Sequence, residues 1–415
     1  MNYFAVQNAE LWVEDVPLTR IASEYGTPTF VYSRAAIEDA YRRFDKAFAS
    51  HPHRTCYSVK ANSNLGVLSL LKSLGSGFDI VSGGELERVL RAGASADSVV
   101  FSGVGKQGWE VRLAIEAGIA CFNIESIAEL RQIDTIATEL GCVAPISIRV
   151  NPDVDAKTHP YIATGLKQNK FGVSSSVARQ MYREAEALPH IKVVGIDCHI
   201  GSQITELEPF IEAMRRLVEI VDDLEAEGIV LEHIDLGGGI GVRYQDETPI
   251  EVEEYAAAIL QTLGHRKQSL MFEPGRYIVA NAGILLSRVI NLKENEGRHF
   301  AVIDAAMNDL IRPALYQSWQ QVSVVKTANP SPKSYELVGP ICETGDFIAR
   351  NRRLALDEGD LVAIHSAGAY GFVMSSNYNS RNRAAEVIVS QSNSQSVRER
   401  ETIEDQLRLE RIYKC

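Results

Sequence analysis

The sequence predicts an α/β fold: a (β/α)8 TIM-type barrel over residues 28–280, beside a β-rich, barrel- or sandwich-like domain made of residues 1–27 and 281–415. Three observations predict it. Eight short β-prone runs alternate with helical patterns. Many of the helical patterns close on glycine, as C-caps do. After Asn281 the helical spacing gives way to alternating runs separated by turns. A chain of 415 residues also exceeds what one core usually supports, which fits two domains.

The β-prone runs are "TCYSVK" (55–60), "GFDIVS" (77–82), "SVVFSG" (98–103), "ACFNIE" (120–125), "PISIRVNP" (145–152), "KVVGIDCHIG" (192–201), "LEHIDLGGG" (231–239) and "LMFEPG" (270–275). Segments between them, such as "GGELERVLRAG" and "PFIEAMRRLVEIVDDLEAEG", space apolar residues by three and four, as a helix burying one face requires. "GILLSRVINLKE", "HFAVIDA", "SYELVGPIC", "DLVAIHSAG" and "AAEVIVSQ" supply the later strands. The polar connection over residues 151–176 is longer than ordinary loops and reads either as an active-site lid or as a solvated loop. The tail "SVRERETIEDQLRLERIYKC" has a charged helical pattern, expected as a surface helix or frayed end.

A formal charge of -12 disfavours a polyanionic partner, so nucleic acid is excluded as the expected ligand. No run approaches the roughly 18 apolar residues of a membrane span, and "MNYFAVQNAELWVEDV" lacks a basic n-region with an apolar core, so the expected location is cytoplasmic, with no membrane partner. Cysteines 56, 121, 142, 198, 342 and 415 show no CxxC pairing or metal-ligand spacing. They are expected as reduced thiols, and no metal is expected.

Barrels of this type do their chemistry at the C-terminal ends of the strands. The sequence puts its out-of-place residues there: Lys60 ends the first, His199 with Gly201 and Ser202 ends the sixth, Gly237, Gly238 and Gly239 follow the seventh, and Glu273 with Gly275 and Arg276 end the eighth. Consecutive glycines let backbone N–H groups approach an anion, and the loops after strands seven and eight are a recurrent phosphate site, although a tight turn uses the same glycines. A desolvated lysine amine is a nucleophile toward aldehydes, although Lys60 could equally be half of a buried ion pair. His199 taken alone reads as a satisfied core histidine. A phosphate cradle and a reactive amine together suggest pyridoxal phosphate.

"YSVKAN", "HIGSQ", "DLGGGIG", "EPGRYIVANAG", "DLIRPALY", "GPICETGD" and "GAYGFVMSSNYNSR" occur in this order, and the chain from about residue 5 to residue 390 resembles the diaminopimelate decarboxylases, fold-type III pyridoxal-phosphate enzymes. The resemblance implies a (β/α)8 barrel with a β-rich C-terminal domain that borrows the N-terminal segment. It also implies a head-to-tail homodimer with shared active sites. Lys60 would hold the cofactor, His199 would lie against its ring, and Glu273 would keep the pyridine nitrogen protonated. Ser202, the Gly237–Gly239 run, Gly275 and Arg276 would surround the phosphate, with Tyr370 also at the cofactor. Cys342 would deliver the proton that replaces CO2.

Relatives of this fold type act on several amino acids, so the substrate must be read from the distal site. Meso-diaminopimelate presents a second carboxylate and a second ammonium. The resemblance assigns Arg276, Arg312, Tyr316 and Tyr370 to substrate binding, the arginines to the distal carboxylate, and Glu343 to the ammonium. Two arginines aimed at ornithine's ammonium would repel it. The implied reaction gives L-lysine and CO2. The competing readings are a decarboxylase of a related amino acid such as carboxynorspermidine, and a non-catalytic cofactor-binding regulator. The second would be expected to lack Lys60 or Cys342, and this chain has both.

Overall fold

The structure is a computed structural model that describes residues 3–155, 164–165, 169–326 and 331–414. The chain divides into two compact units: residues 40–243 with 247–277, and residues 1–39 with 244–246 and 278–415.

The first unit is a closed barrel of eight parallel strands in sequence order. They are His53–Ser58, Gly77–Ile80, Val99–Phe101, Cys121–Ile124, Ala144–Arg149, Ile191–Asp197, His233–Asp235 and Ser269–Phe272, and the eighth pairs with the first to close the ring. All eight fall on the expected runs, but several end earlier than those runs do. The first stops at Ser58, and Val59–Ala61 forms a 3-10 turn, so Lys60 stands on a turn beyond the strand rather than in it.

Cys56, Val100, Cys121, Val194 and Met271 come from five different strands and pack together, which side chains of a closed barrel can do only inside it. In four of these strands, period-two alternation then carries the positions two residues further along, Ser58, Ser102, Asn123 and Glu273, to the same interior face; a bulge between Val193 and Gly195 breaks the alternation in the fifth. Those four are buried and polar. An apolar layer thus underlies a polar one at the end of the barrel where the expected site residues gather.

The surrounding helices begin and end where the sequence marks them. Ser82 and Ser126 accept the N–H groups of Glu85 and Glu129 as N-caps, and Gly118 and Gly141 take left-handed C-caps with φ of 76° and 64°. Helix Glu208–Ala226 buries Phe210, Met214, Leu217, Val221 and Leu224 along one face. No described helix is long and apolar enough to cross a membrane.

The second unit holds a three-stranded antiparallel sheet from residues 4–17 and a nine-stranded mixed sheet. Thr29–Ser33, expected at the start of the barrel segment, instead lies in this sheet between Gly283–Asn295 and Ala385–Ser390. It is buried at every position and so needs cover on both faces. The boundary between units accordingly falls near residue 40 rather than 28. Leu11, Val13, Val16, Ile21, Val31, Ile284, Leu286, Val387 and Val389 form the core.

The tail is less helical than its charge pattern predicts. Asn393–Arg398 pairs as a hairpin strand with Ala385–Ser390, leaving a five-residue helix, Ile403–Leu407, capped by Thr402. Of the expected lid, residues 156–163 and 166–168 lie outside the described residues. Of its described parts, Asn151 N–H bonds the Val173 carbonyl at 2.8 Å and Gly165 N–H bonds the Ile200 carbonyl at 3.1 Å.

Candidate active site

In the barrel unit, Lys60 Nζ donates to Asp79 Oδ2 at 2.6 Å, and the same oxygen accepts Ser58 Oγ at 2.6 Å. Asp79 is fully buried, whereas the lysine side chain is 36% exposed. The ion-pair reading of Lys60 is what the structure shows: a buried carboxylate anchors an ammonium that stays partly exposed to solvent.

Glu273 Oε1 accepts Ser102 Oγ at 3.2 Å and Asn123 Nδ2 at 3.3 Å. Its carboxyl stands with those of Asp197 and Asp235, with oxygens from all three within 4.8 Å of one another. Arg149 is the nearby cation, 3.2 Å from Glu125 and 3.7 Å from Asp197. Burial, reinforced by the neighbouring acids, pushes Glu273 and Asp197 well above the carboxylate range and Asp235 up to about 7.

His199 Nδ1 accepts the Gly238 N–H at 3.2 Å, which leaves the ring proton for Nε2. Desolvation, then the charges of Arg149 and Lys60, hold its pKa well below 6.5, so the ring is neutral. Arg276 Nε and Nη2 reach Ser202 Oγ at 3.3 and 3.0 Å. The Gly237–Gly239 run has no room for side chains: a Cβ on Gly237 would lie 2.7 Å from His199 Nδ1, and one on Gly238 would collide with the Glu273 carbonyl. A Cβ on Gly275 would lie 2.9 Å from those of Ser58 and Ala61.

In the other unit, Arg312 is buried, donates from Nη1 to the Tyr244 hydroxyl at 2.6 Å, and stacks its guanidinium 4.7 Å from that ring's centroid. Tyr316 closes the short helix Arg312–Tyr316. Cys342 and Glu343 lie on an exposed turn, where the Cys342 N–H donates to Asn379 Oδ1 at 2.8 Å. A hydrogen bond to Glu343 raises the pKa of the Tyr378 hydroxyl. Tyr370 has φ of 54°, an uncommon conformation for an aromatic residue that costs of order 1 kcal/mol and concentrates at functional sites.

The structure thus gathers Lys60, His199, Ser202, Gly237, Gly238, Gly239, Glu273, Gly275 and Arg276 at one end of the barrel unit. Arg312, Tyr316, Cys342, Glu343 and Tyr370 belong to the other unit. Sequence reasoning missed Asp79, Asp197, Asp235, Tyr244 and Asn379. The three aspartates had a signal: each stands inside one of the β-prone runs, where a charge is costly unless used. Asn379 stands inside the motif "GAYGFVMSSNYNSR" but no local pattern singles it out, and Tyr244 had no signal, being a loop residue whose partner is distant in sequence.

These barrel residues fit pyridoxal phosphate. A side-chain-free cradle with an arginine and a serine suits a phosphate. Lys60 offers the amine, and Glu273, whose carboxyl is pushed up by burial and by the neighbouring acids, would be relieved by a protonated ring nitrogen. Residues 34–280 match the family model described as "pyridoxal-dependent decarboxylase, pyridoxal binding domain", and the chain belongs to the pyridoxal-dependent decarboxylases. It is 60% identical to diaminopimelate decarboxylase of Pseudomonas fluorescens over 97% of both chains. Among solved structures, diaminopimelate decarboxylase from Helicobacter pylori complexed with L-lysine has a TM-score of 0.92 and 42% identity, covering 94% of this chain and 98% of that one. The M. jannaschii enzyme in co-complex with L-lysine has a TM-score of 0.95 and 37% identity, covering 99% of this chain and 98% of that one. Within the class, the chain belongs to the diaminopimelate decarboxylase family.

Proposed function

We propose that the chain decarboxylates meso-2,6-diaminopimelate to L-lysine and CO2, the last step of lysine biosynthesis, with pyridoxal 5'-phosphate as its cofactor. The observation that carries the substrate is that L-lysine, the product, is the molecule bound in two solved relatives that match almost the whole chain.

When bound, the cofactor supplies an electron sink for the pair left behind as CO2 departs. Lys60 Nζ ties it to the chain. The Gly237–Gly239 run, Ser202, Gly275 and Arg276 hold its phosphate. His199, neutral with its proton on Nε2, would offer an uncharged face to the ring, and Tyr370 would also help to hold the cofactor. Glu273 would face the protonated ring nitrogen, whose positive charge would draw Glu273, and with it the neighbouring Asp197 and Asp235, back toward their ionised forms.

Cys342 Sγ delivers the proton to the carbon that has lost CO2. Arg276 and Arg312 take the distal carboxylate of the substrate, with Tyr316 and Tyr370 beside it, and Glu343 takes the distal ammonium. The Arg312–Tyr244 hydrogen bond and stacking fix the guanidinium in advance, which lowers the entropy lost when substrate binds.

The active protein in this reading is a homodimer with two composite sites, Lys60 coming from one subunit and Cys342 with Glu343 from the other. Its location is the cytoplasm, supported by unpaired thiols at Cys56, Cys121, Cys142, Cys198 and Cys342. Release of lysine from meso-, LL- and DD-diaminopimelate tests substrate and stereochemistry together. Turnover of the meso isomer alone is the expected result, and no turnover of any isomer would reject the reading.

A further inference from the structure

Among the described residues, the turn carrying Cys342 and Glu343 is held locally only by short-range backbone bonds, such as Asp346 N–H to the Glu343 carbonyl at 3.1 Å. It joins strands Lys333–Val338 and Phe347–Leu354, and residues 342–345 are all exposed. A proton donor needs better placement than that, because a misplacement of about 1 Å costs on the order of a hundredfold in rate.

Asp346 supplies an anchor. Its buried carboxylate divides its two oxygens between two segments: Oδ2 accepts the N–H of Ile341 at 2.8 Å, and Oδ1 accepts that of Met307 at 2.7 Å. Ile341 immediately precedes Cys342, and Met307 leads into the helix that begins at Arg312. One planar group therefore ties the thiol's turn to the arm bearing the buried arginine. The packing around it is tight, since a Cβ on Gly339 would collide with Asp346 Oδ2 and come within 2.5 Å of the Ala306 Cβ.

From the other side, Asn379 Oδ1 accepts the Cys342 N–H at 2.8 Å. The segment holding Asn379 is fixed in turn, because Ser376 N–H donates to the Asn308 carbonyl at 2.9 Å. Two segments distant in sequence, around Met307 and around Asn379, thus converge on the turn through side-chain acceptors and backbone N–H groups.

We propose that Asp346 and Asn379 are positioning residues that fix where Cys342 Sγ stands, and so which face of the product carbon receives the proton. The proposal rests on the reading of Cys342 as proton donor. Asparagine cannot replace Asp346: both carboxylate oxygens accept, whereas an amide offers one acceptor and sets its NH2 against the remaining N–H.

The test compares wild type with Asp346→Asn and Asn379→Ala, in the full-length protein. The first readout is the rate at which iodoacetamide alkylates Cys342 without added cofactor, followed by peptide mass mapping with Cys142 as internal control. Each variant should alkylate Cys342 at least threefold faster, with Cys142 unchanged. The second readout is turnover of meso-diaminopimelate in D2O. There kcat should fall at least tenfold and KM less than threefold, with cofactor absorption retained. The single deuterium entering the product should be divided between the two prochiral positions instead of confined to one.

A merely structural role would lower stability and leave that stereochemistry intact. Wild-type alkylation together with stereospecific labelling in either variant would overturn the proposal. If Asp346→Asn does not fold, Asn379→Ala carries the same two readouts. If wild type releases no lysine, the proposed function fails, and the alkylation comparison still decides whether these residues hold Cys342.

Discussion

Replacing Lys60 with alanine should remove cofactor attachment and turnover at a modest, calculable cost in stability. The cost follows from Asp79, which is fully buried and would lose the ammonium now 2.6 Å from its Oδ2. Removing one partner of a fully buried ion pair costs about 3–5 kcal/mol. Two features reduce that here. The lysine side chain is 36% exposed, so solvent already screens the pair, and Ser58 Oγ still donates to the same oxygen. About 1–2 kcal/mol should remain. Guanidinium unfolding of cofactor-free proteins measures it without the stability that bound cofactor adds. The double variant Lys60→Ala/Asp79→Asn, which removes the stranded charge, should recover most of the loss. Borohydride reduction of the loaded wild type followed by peptide mapping should find the adduct on Lys60. Two results would refute the reasoning: a reducible adduct on another lysine in Lys60→Ala, or a single variant as stable as wild type.

Three further outcomes are expected. The folded protein holds Asp235 at a pKa of about 7, above its unfolded value, so it binds more protons than the unfolded chain between the two. That stabilisation is complete at acid pH and lost as pH rises through about 7. Cofactor-free protein should weaken from about pH 4 to pH 7 by up to about 1.4 kcal/mol per pH unit for each such proton, levelling off above pH 7, and Asp235→Asn should flatten the slope in denaturant titrations; an unchanged slope assigns it elsewhere. Glu343→Gln should lower kcat/KM for diaminopimelate by roughly thirtyfold or more, about 2 kcal/mol, by leaving the substrate ammonium unpaired; a change under threefold removes Glu343 from that role. Inactive Lys60→Ala and Cys342→Ala proteins, mixed under subunit exchange, should regain about a quarter of wild-type activity, because half the dimers are mixed and each has one intact site. No recovery after mass spectrometry confirms the mixed dimer would exclude sharing between subunits.

The barrel was legible in the sequence because its signals are local. Each strand is a short β-prone run, each helix repeats apolar residues every three or four positions, and serines and glycines mark the caps, as at Ser126 and Gly141. Lys60, the Gly237–Gly239 run and Glu273 were legible for the same reason: a charge or a glycine cluster at the end of a buried strand is locally anomalous. Residues 29–33 were not, since a buried β-run reads alike wherever it pairs, and only Gly283–Asn295 and Ala385–Ser390 place it outside the barrel.

What the sequence determined by itself was the order and type of the barrel elements, the cofactor class and the residues that announce it. Tertiary structure alone decided which groups those residues face. Asp79 lies 19 positions from Lys60 and Tyr244 lies 68 from Arg312, and neither pairing leaves a periodic trace. The acids around Glu273 come from separate strands, and their shared proton affinity arises only when barrel closure brings them within 4.8 Å and excludes water. Such coupling depends on distance and burial, which the chain acquires by folding.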